Sequence, residues 1–142
     1  MAFSEQAEFP SRMTALRDTA AFAQSFCERH GVDRDDALRL TLVIEELFTN
    51  TVKHGHRNEN DSPVRIRLSM SDDGVSVLYE DRAPRYDPLA RLSVAPKDLA
   101  ASAEARPVGG LGVYLLGQLV AGARYSYEDG CNRLWFTMPR QG

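Results

Sequence analysis

Apolar positions follow a helical spacing in the first third of the chain and an alternating spacing later. Early on they recur every three or four residues, as on one face of an amphipathic helix. A first helix is predicted from Leu16 to Cys27, with Gly31 after it as a stop signal. A second helix is predicted over about residues 34–54, with Asp33 as its N-cap.

Beyond residue 60 the apolar positions alternate with polar ones, which is typical of half-buried β-strands. Strands are predicted around residues 64–70 and 75–81, paired as a hairpin. Asp81 shares a face with the apolar positions of its strand, so we expect its side chain to point toward the core. A closing hairpin is predicted from residues 123–128 and 132–138.

The stretch between the two predicted hairpins differs in composition from the rest of the chain. Ala90–Pro107 is rich in Ala, Ser and Pro and is interpreted as a mobile loop. A third helix is predicted after it, with Leu111, Leu115 and Leu119 on one face. Helical and strand patterns are largely segregated along the chain, which favours an α+β two-layer sandwich.

Size and charge exclude several classes of protein. A chain of 142 residues with 43% hydrophobic and 26% charged residues is typical of one folded domain. Its formal net charge of −3 argues against a nucleic-acid partner. No apolar stretch reaches the roughly 20 residues that a membrane-spanning helix needs, and the first residues do not resemble a leader peptide. We therefore expect a cytoplasmic location and no membrane contact.

One candidate site lies on the second predicted helix, in the segment LTLVIEELFTNTVKHG. Glu46, Asn50 and either Lys53 or His54 are separated by helical turns and share one face. A carboxylate there can accept a proton, and an amide oxygen can bind a hard cation such as Mg²⁺. The alternative is an ordinary solvated face.

Two further segments combine residues suited to binding a nucleotide. Asp81 ends a strand and precedes a turn containing Ala83, and a carboxylate in this place can accept a hydrogen bond from an exocyclic amine. Three glycines in VGGLGVYLL run into an apolar helix, where backbone amides can approach phosphates. An ordinary strand end and an ordinary flexible loop are the alternatives.

Together and in this order, the three segments resemble the ATP-binding fold shared by gyrase, heat-shock chaperones, histidine kinases and MutL. The motifs concerned are E-x-x-x-N-x-x-K-H-G, D-x-A-P-x-x-D-P and G-G-L-G-V. Within that superfamily the chain is similar to the small anti-sigma factor serine/threonine kinases of bacterial partner-switching systems. The resemblance implies a single domain over residues 1–142, with a mostly antiparallel mixed sheet covered on one face by about three helices.

The resemblance also implies a role for each matching residue. Glu46 corresponds to the general base, and Asn50 to the ligand of Mg²⁺. Lys53 and His54 match positions near the phosphates of ATP. Asp81 matches the acid that accepts a hydrogen bond from the adenine amine.

The other matches surround the base and the phosphates. Ala83 stands where the superfamily prefers glycine, and Asn132 takes a position that often bears a hydroxyl holding adenine through water. Residues 88–108 correspond to an ATP lid, and Arg106 to a lid cation with a catalytic role near the γ-phosphate. The segment on the phosphate side consists of Gly109, Gly110, Leu111, Gly112 and Val113.

The activity implied is Mg·ATP-dependent phosphorylation of a serine or threonine on a STAS-type anti-anti-sigma factor. A sigma factor or another regulator is a second implied partner, and pairing of two copies is consistent with the resemblance. The alternative is a non-catalytic, nucleotide-dependent binding module that sequesters a sigma factor or another regulator.

Overall fold

Residues 4–55, 58–87 and 120–141 are described by the computed structural model of the chain. A 3₁₀ turn at Met13–Ala15 precedes the first helix, and a π-helical turn at Thr51–Gly55 continues the second. The predicted lid, third helix and glycine segment lie outside these residues. The elements in chain order are β1 (Ser4–Pro10), α1 (Leu16–Arg29), α2 (Arg34–Asn50), β2 (Pro63–Ser71), β3 (Gly74–Asp81), β4 (Ala121–Glu128) and β5 (Cys131–Pro139).

The five strands form one sheet in the order β1-β2-β3-β5-β4. Every neighbouring pair is antiparallel, so both predicted hairpins are confirmed. The turn of the closing hairpin contains Asp129 and Gly130, both with positive φ, as a two-residue hairpin turn requires. β5 inserts between β3 and β4, and this order places Asp81 of β3 directly opposite Asn132 of β5.

Both described helices begin and end close to the predicted positions. The Asp33 carboxylate accepts a hydrogen bond from the Asp35 backbone amide at 3.3 Å, which confirms the predicted N-cap of α2. α1 ends at Arg29, and Gly31 follows with a φ of 67°. No helix in the three described ranges is long and apolar enough to cross a bilayer.

The core lies between the helices and one face of the sheet, which confirms the α+β fold. Alternate residues of β2, β3 and β5 point into it, because successive side chains of a strand face opposite sides. From the helices and these strands the core contains Ala23, Phe26, Cys27, Leu40, Val43, Ile44, Leu47, Phe48, Val64, Ile66, Leu68, Val75, Val77, Tyr79, Leu134, Phe136 and Met138.

The opposite face of the sheet carries a row of alternating charges that crosses all five strands, here called the charge ladder. It consists of Glu8, Arg65, Glu80, Arg133 and Glu128. Successive nitrogen–oxygen distances along it are 2.7, 3.9, 2.8 and 3.6 Å. Glu80, in the middle, is only 8% exposed and lies between two arginines. The two faces of the sheet therefore differ sharply in chemistry.

Candidate functional site

Glu46 and Asn50 lie one turn apart near the end of α2. Glu46 is half-buried, and its Oε2 atom is buried without a hydrogen-bond partner among the described residues. Burial raises the pKa of this carboxyl above its ordinary value, the nearby Glu45 raises it further, and Lys53 lowers it. A raised pKa makes the carboxylate a stronger proton acceptor, as a general base requires.

Asn50 is more deeply buried than Glu46. It is 3% exposed, and neither Oδ1 nor Nδ2 of its amide has a partner within the described ranges. Buried amides are nearly always hydrogen-bonded, so the amide of Asn50 takes its partners from outside the described residues. The amide oxygen is a donor atom that Mg²⁺ accepts, and the residues present therefore fit the predicted ion.

The π-helical turn after Asn50 brings the chain against the turn that follows β3. A side chain at Gly55 would place its Cβ 2.9 Å from the Cβ of Ala83. Only glycine fits at this contact, because real Cβ atoms do not approach so closely. Gly55 thus accommodates the alanine that stands where the superfamily prefers glycine.

Asp81 is 8% exposed and faces the core side, as predicted. Its Oδ1 accepts hydrogen bonds from the Ala83 backbone amide at 3.1 Å and from Asn132 Nδ2 at 2.9 Å. Its Oδ2 accepts one from the Thr51 hydroxyl at 2.8 Å. A carboxylate offers about four lone-pair positions, so the described residues leave one on Oδ2 free for a ligand donor.

Asn132 binds the turn after β3 to the end of that strand. Its amide donates to Asp81 and to the carbonyls of Ala83 and Pro84, at 2.9, 3.0 and 3.2 Å. Its Oδ1 accepts from the Tyr86 backbone amide at 3.0 Å and from the Tyr125 hydroxyl. We call this set of bonds the Asn132 latch. The predicted contact of Asn132 with adenine through water remains a prediction.

A cavity of about 30 Å³ lies between the end of α2 and the sheet, with room for about two water molecules. Asn50 and Asp81 both line it, so the structure brings together the predicted metal ligand and the predicted base acceptor. The lining residues are Leu47, Asn50, Thr51, Tyr79, Asp81, Tyr86, Tyr125, Asn132, Arg133 and Leu134.

Other predicted residues lie beside the cavity or outside the described residues. Glu46 and Ala83 neighbour it without lining it, and Lys53 is exposed. The side chain of His54 is outside what the structure describes. The same applies to Arg106 and to the segment from Gly109 to Val113.

Three hydroxyl-bearing residues of the cavity were not predicted from the sequence. Thr51 directly follows Asn50 in the chain. Tyr79 shares the inward face of β3 with Asp81, and that parity is a signal that could have found it. Tyr125 comes from β4, and no local pattern connects it to the other two.

Comparisons with known proteins agree with this geometry. The family model of the histidine kinase-like ATPase domain matches residues 9–138 of the chain. A serine-protein kinase RsbW of Listeria monocytogenes is 28% identical over 92 residues, which cover 64% of this chain and 59% of that protein. An RsbW of Bacillus cereus is 27% identical over 103 residues, covering 72% and 64%. The chain thus spans about six-tenths of the length of these curated relatives.

Two solved structures share the fold at low sequence identity. The RsbU and RsbW domains of a Mycobacterium tuberculosis protein align with a TM-score of 0.66 and 15% identity, over 98% of this chain and 33% of that one. The SiaB–SiaC complex of Pseudomonas aeruginosa aligns with a TM-score of 0.62 and 10% identity, over 94% and 87%. Since the family model spans most of a chain with this fold, the protein belongs to the histidine kinase-like ATPase domain family.

Proposed function

We propose that this chain binds Mg·ATP and transfers the γ-phosphoryl group to a serine or threonine of a STAS-type anti-anti-sigma factor. It would thereby act as an anti-sigma-type regulator in a bacterial partner-switching system. The observation that carries the proposal is the pair formed by Glu46 and Asn50, whose buried polar atoms lack partners among the described residues. Membership of an ATPase family and relatives named serine-protein kinase support it.

Each residue of the site has a chemical role in this proposal. The open lone pair of Asp81 Oδ2 accepts a hydrogen bond from the exocyclic amine of adenine. The amide oxygen of Asn50 holds Mg²⁺, which offsets the charge of the phosphates when bound. Glu46 takes the proton of the acceptor hydroxyl while that oxygen bonds to the γ-phosphorus and the bond to the β-phosphate breaks, releasing ADP.

Further parts of the proposal rest on the sequence resemblance. Lys53 and His54 would lie near the phosphates, beneath a lid formed by residues 88–108 with Arg106 as its cation. The segment from Gly109 to Val113 would contact the phosphates, within a single domain over residues 1–142. Ala83 would contact the base. Binding of a sigma factor and pairing of two copies belong to the same proposal.

The test combines nucleotide binding with phosphoryl transfer. Titration calorimetry with ATP should give Mg²⁺-dependent binding, which Asn50→Ala and Asp81→Asn each weaken about tenfold or more. Glu46→Gln should keep ATP affinity while transfer to STAS-domain proteins of the same genome falls by a factor of about 10²–10⁴. Transfer is followed by mass spectrometry of the partner.

Glu45→Gln is the matched control, since it removes the neighbouring carboxyl on the same helix. It should change the rate of transfer only through the pKa of Glu46, and therefore far less than Glu46→Gln does. Full transfer by Glu46→Gln would contradict the role of the base. ATP binding by the wild type without transfer to any STAS partner would favour the non-catalytic binding module instead.

A further inference from the structure

The solvent-facing side of α2 carries two exposed leucines, here called the leucine pair. Leu38 is 58% exposed and Leu42 is 40% exposed. In the part of the chain that the structure describes, only one other large apolar side chain, that of Tyr127, is exposed. An amphipathic helix normally places polar residues on this side. Single exposed apolar side chains are ordinary, but two neighbouring ones on one helix mark a candidate contact surface.

The leucine pair stands in one row with Glu46. Leu42 precedes Glu46 by four residues, and Leu38 precedes Leu42 by four, so the three side chains follow one another along one side of the helix. With the rise of an α-helix, Leu42 lies about 6 Å and Leu38 about 12 Å from Glu46 along the helix axis. Side chains on a helix lean toward its N-terminus, so that of Glu46 extends over the turn that carries Leu42.

A folded protein substrate that reaches Glu46 has to cover these positions. The acceptor oxygen must come within about 3 Å of the Glu46 carboxylate for the proton to pass. A specific interface buries about 800 Å² on each partner, which is a patch of about 16 Å radius if it is round. Such a patch around the acceptor extends over Leu42 and reaches Leu38. Neither leucine lines the cavity of the candidate site, so the leucine pair is on the side of the protein substrate and not of the nucleotide.

We propose that the leucine pair is a docking surface for the phosphoacceptor protein, on which apolar side chains beside the acceptor serine or threonine of a STAS-type partner pack. The inference rests on the proposed kinase function and adds the surface that recognises the protein substrate. Leu42, next to Glu46, contacts the partner close to the acceptor. Leu38 also lines a groove between α1 and α2 with Val32 and Ala37, so it contacts the partner farther from the acceptor.

The test measures initial rates of phosphoryl transfer against partner concentration at saturating Mg·ATP. The partner is a STAS-domain protein of the same genome that the wild type phosphorylates. Leu42→Gln should raise the KM for this partner about tenfold, as loss of an apolar contact near the centre of an interface does, and kcat should stay at the wild-type value. Leu38→Gln should raise the KM less. Calorimetry should show wild-type ATP affinity in both variants, since neither position lines the cavity.

Leu42→Met is the matched control. Methionine and glutamine are both unbranched, have similar length and favour helices equally, so the two variants differ mainly in the polarity of the side-chain end. Leu42→Met should keep the KM for the partner close to the wild-type value, because it keeps the apolar surface. Equal rises in Leu42→Met and Leu42→Gln would overturn the inference, since apolar contact would then not be what is lost.

Other occupants of the leucine pair give different results. If a second copy of the chain covers it, Leu42→Gln converts a dimer to a monomer in sedimentation and leaves the KM for the partner unchanged. If the leucines only support the fold, thermal melts show a loss of stability, and ATP affinity falls with it. Either result overturns this inference and leaves the proposed function standing. Absence of transfer from a folded wild type to every STAS-domain protein of the genome overturns both together.

Discussion

Burial of the polar atoms of Glu46 and Asn50 lowers the stability of the folded protein. A buried polar atom without a hydrogen bond destabilises a protein by about 1–3 kcal/mol, and three atoms of these two side chains have no partner in the described part of the chain. Leucine or alanine would fill the same helix positions without that cost. Their arrangement is therefore better explained by a ligand than by the stability of α2.

Two charged neighbours shift the pKa of Glu46 in opposite directions, and this predicts opposite shifts in the pH dependence of transfer. Glu45 raises that pKa and Lys53 lowers it, on top of the larger upward effect of burial. A base works only when deprotonated, so the rate rises as pH increases through the pKa. Glu45→Gln should move this rise to lower pH, and Lys53→Gln should move it to higher pH.

The measurement is the pH profile of kcat at saturating Mg·ATP, where changes in nucleotide affinity do not contribute. Arg17→Gln is a control, because Arg17 lies on α1 and does not contribute to the pKa shift of Glu46. Shifts of both variants in the same direction would show that the rise does not report on Glu46.

The sequence was sufficient to predict that Glu46 and Asn50 lie side by side, but not to predict the hydrogen-bond partners of Asp81. Glu46 and Asn50 are four residues apart on one helix, so their proximity follows from helical geometry alone. The bonds of Asp81 to Thr51 and Asn132 span 30 and 51 residues of chain. They depend on strand order and register, which the local pattern of one sequence does not encode.

The π-helical turn after α2 packs closely against the turn after β3. The space between Gly55 and Ala83 accommodates the methyl group of Ala83 but not a second methyl group at position 55. The π-helical turn that carries Gly55 was predicted as a plain continuation of the helix. Thr51, at the start of this turn, is hydrogen-bonded to Tyr79 and Asp81 of β3, and such turns commonly occur at functional positions.

We expect Gly55→Ala to push this joint apart. The added Cβ meets Ala83 at 2.9 Å, and Gly55 has no positive φ that would add backbone strain. Stability should fall by about 1–3 kcal/mol, the usual cost of overpacking. ATP affinity should fall with it, because Asn50 and Asp81 lie on the two sides of the joint.

Ala83→Gly supplies the reciprocal test. Combined with Gly55→Ala it restores a single methyl at the contact, so urea unfolding and ATP titration should both return close to wild type. If the double variant is as weak as Gly55→Ala alone, the contact with Ala83 is not what excludes a side chain at position 55.

The elements themselves were predictable where periodicity is local. α1, α2 and both hairpins match their predicted positions, because each buries one face that the sequence marks at a spacing of 3.6 or 2 residues. Insertion of β5 between β3 and β4 is a property of the assembled sheet. Local alternation identifies a strand and its hairpin partner. It does not determine which strand pairs with the other edge of that strand.

Across the whole molecule, the helix-covered face of the sheet carries the site and the other face carries the charge ladder. We expect Glu80→Gln to lower the free energy of unfolding by about 1–3 kcal/mol, since it removes the buried negative charge between Arg65 and Arg133 and leaves only a neutral amide to face them. Urea unfolding measures this. ATP affinity should stay at the wild-type value, because Glu80 lies on the opposite face of the sheet and does not line the cavity.

Glu8→Gln is the comparison for that experiment. Glu8 ends the same ladder, but half of its side chain is exposed, so its ion pair contributes no more than about 1 kcal/mol. A loss as large as that of Glu80→Gln would mean that burial does not determine the strength of these pairs. A fall in ATP affinity in Glu80→Gln would mean that the two faces of the sheet are coupled.

The Asn132 latch has a consequence for the timing of binding. Tyr86 lines the cavity, and the turn from Ala83 to Tyr86 is held by several hydrogen bonds to the single side chain of Asn132. If a base enters by displacing this turn, those bonds break first. The rate of nucleotide capture would then level off at high ATP concentration at the rate at which the turn opens, and Asn132 would set that limit.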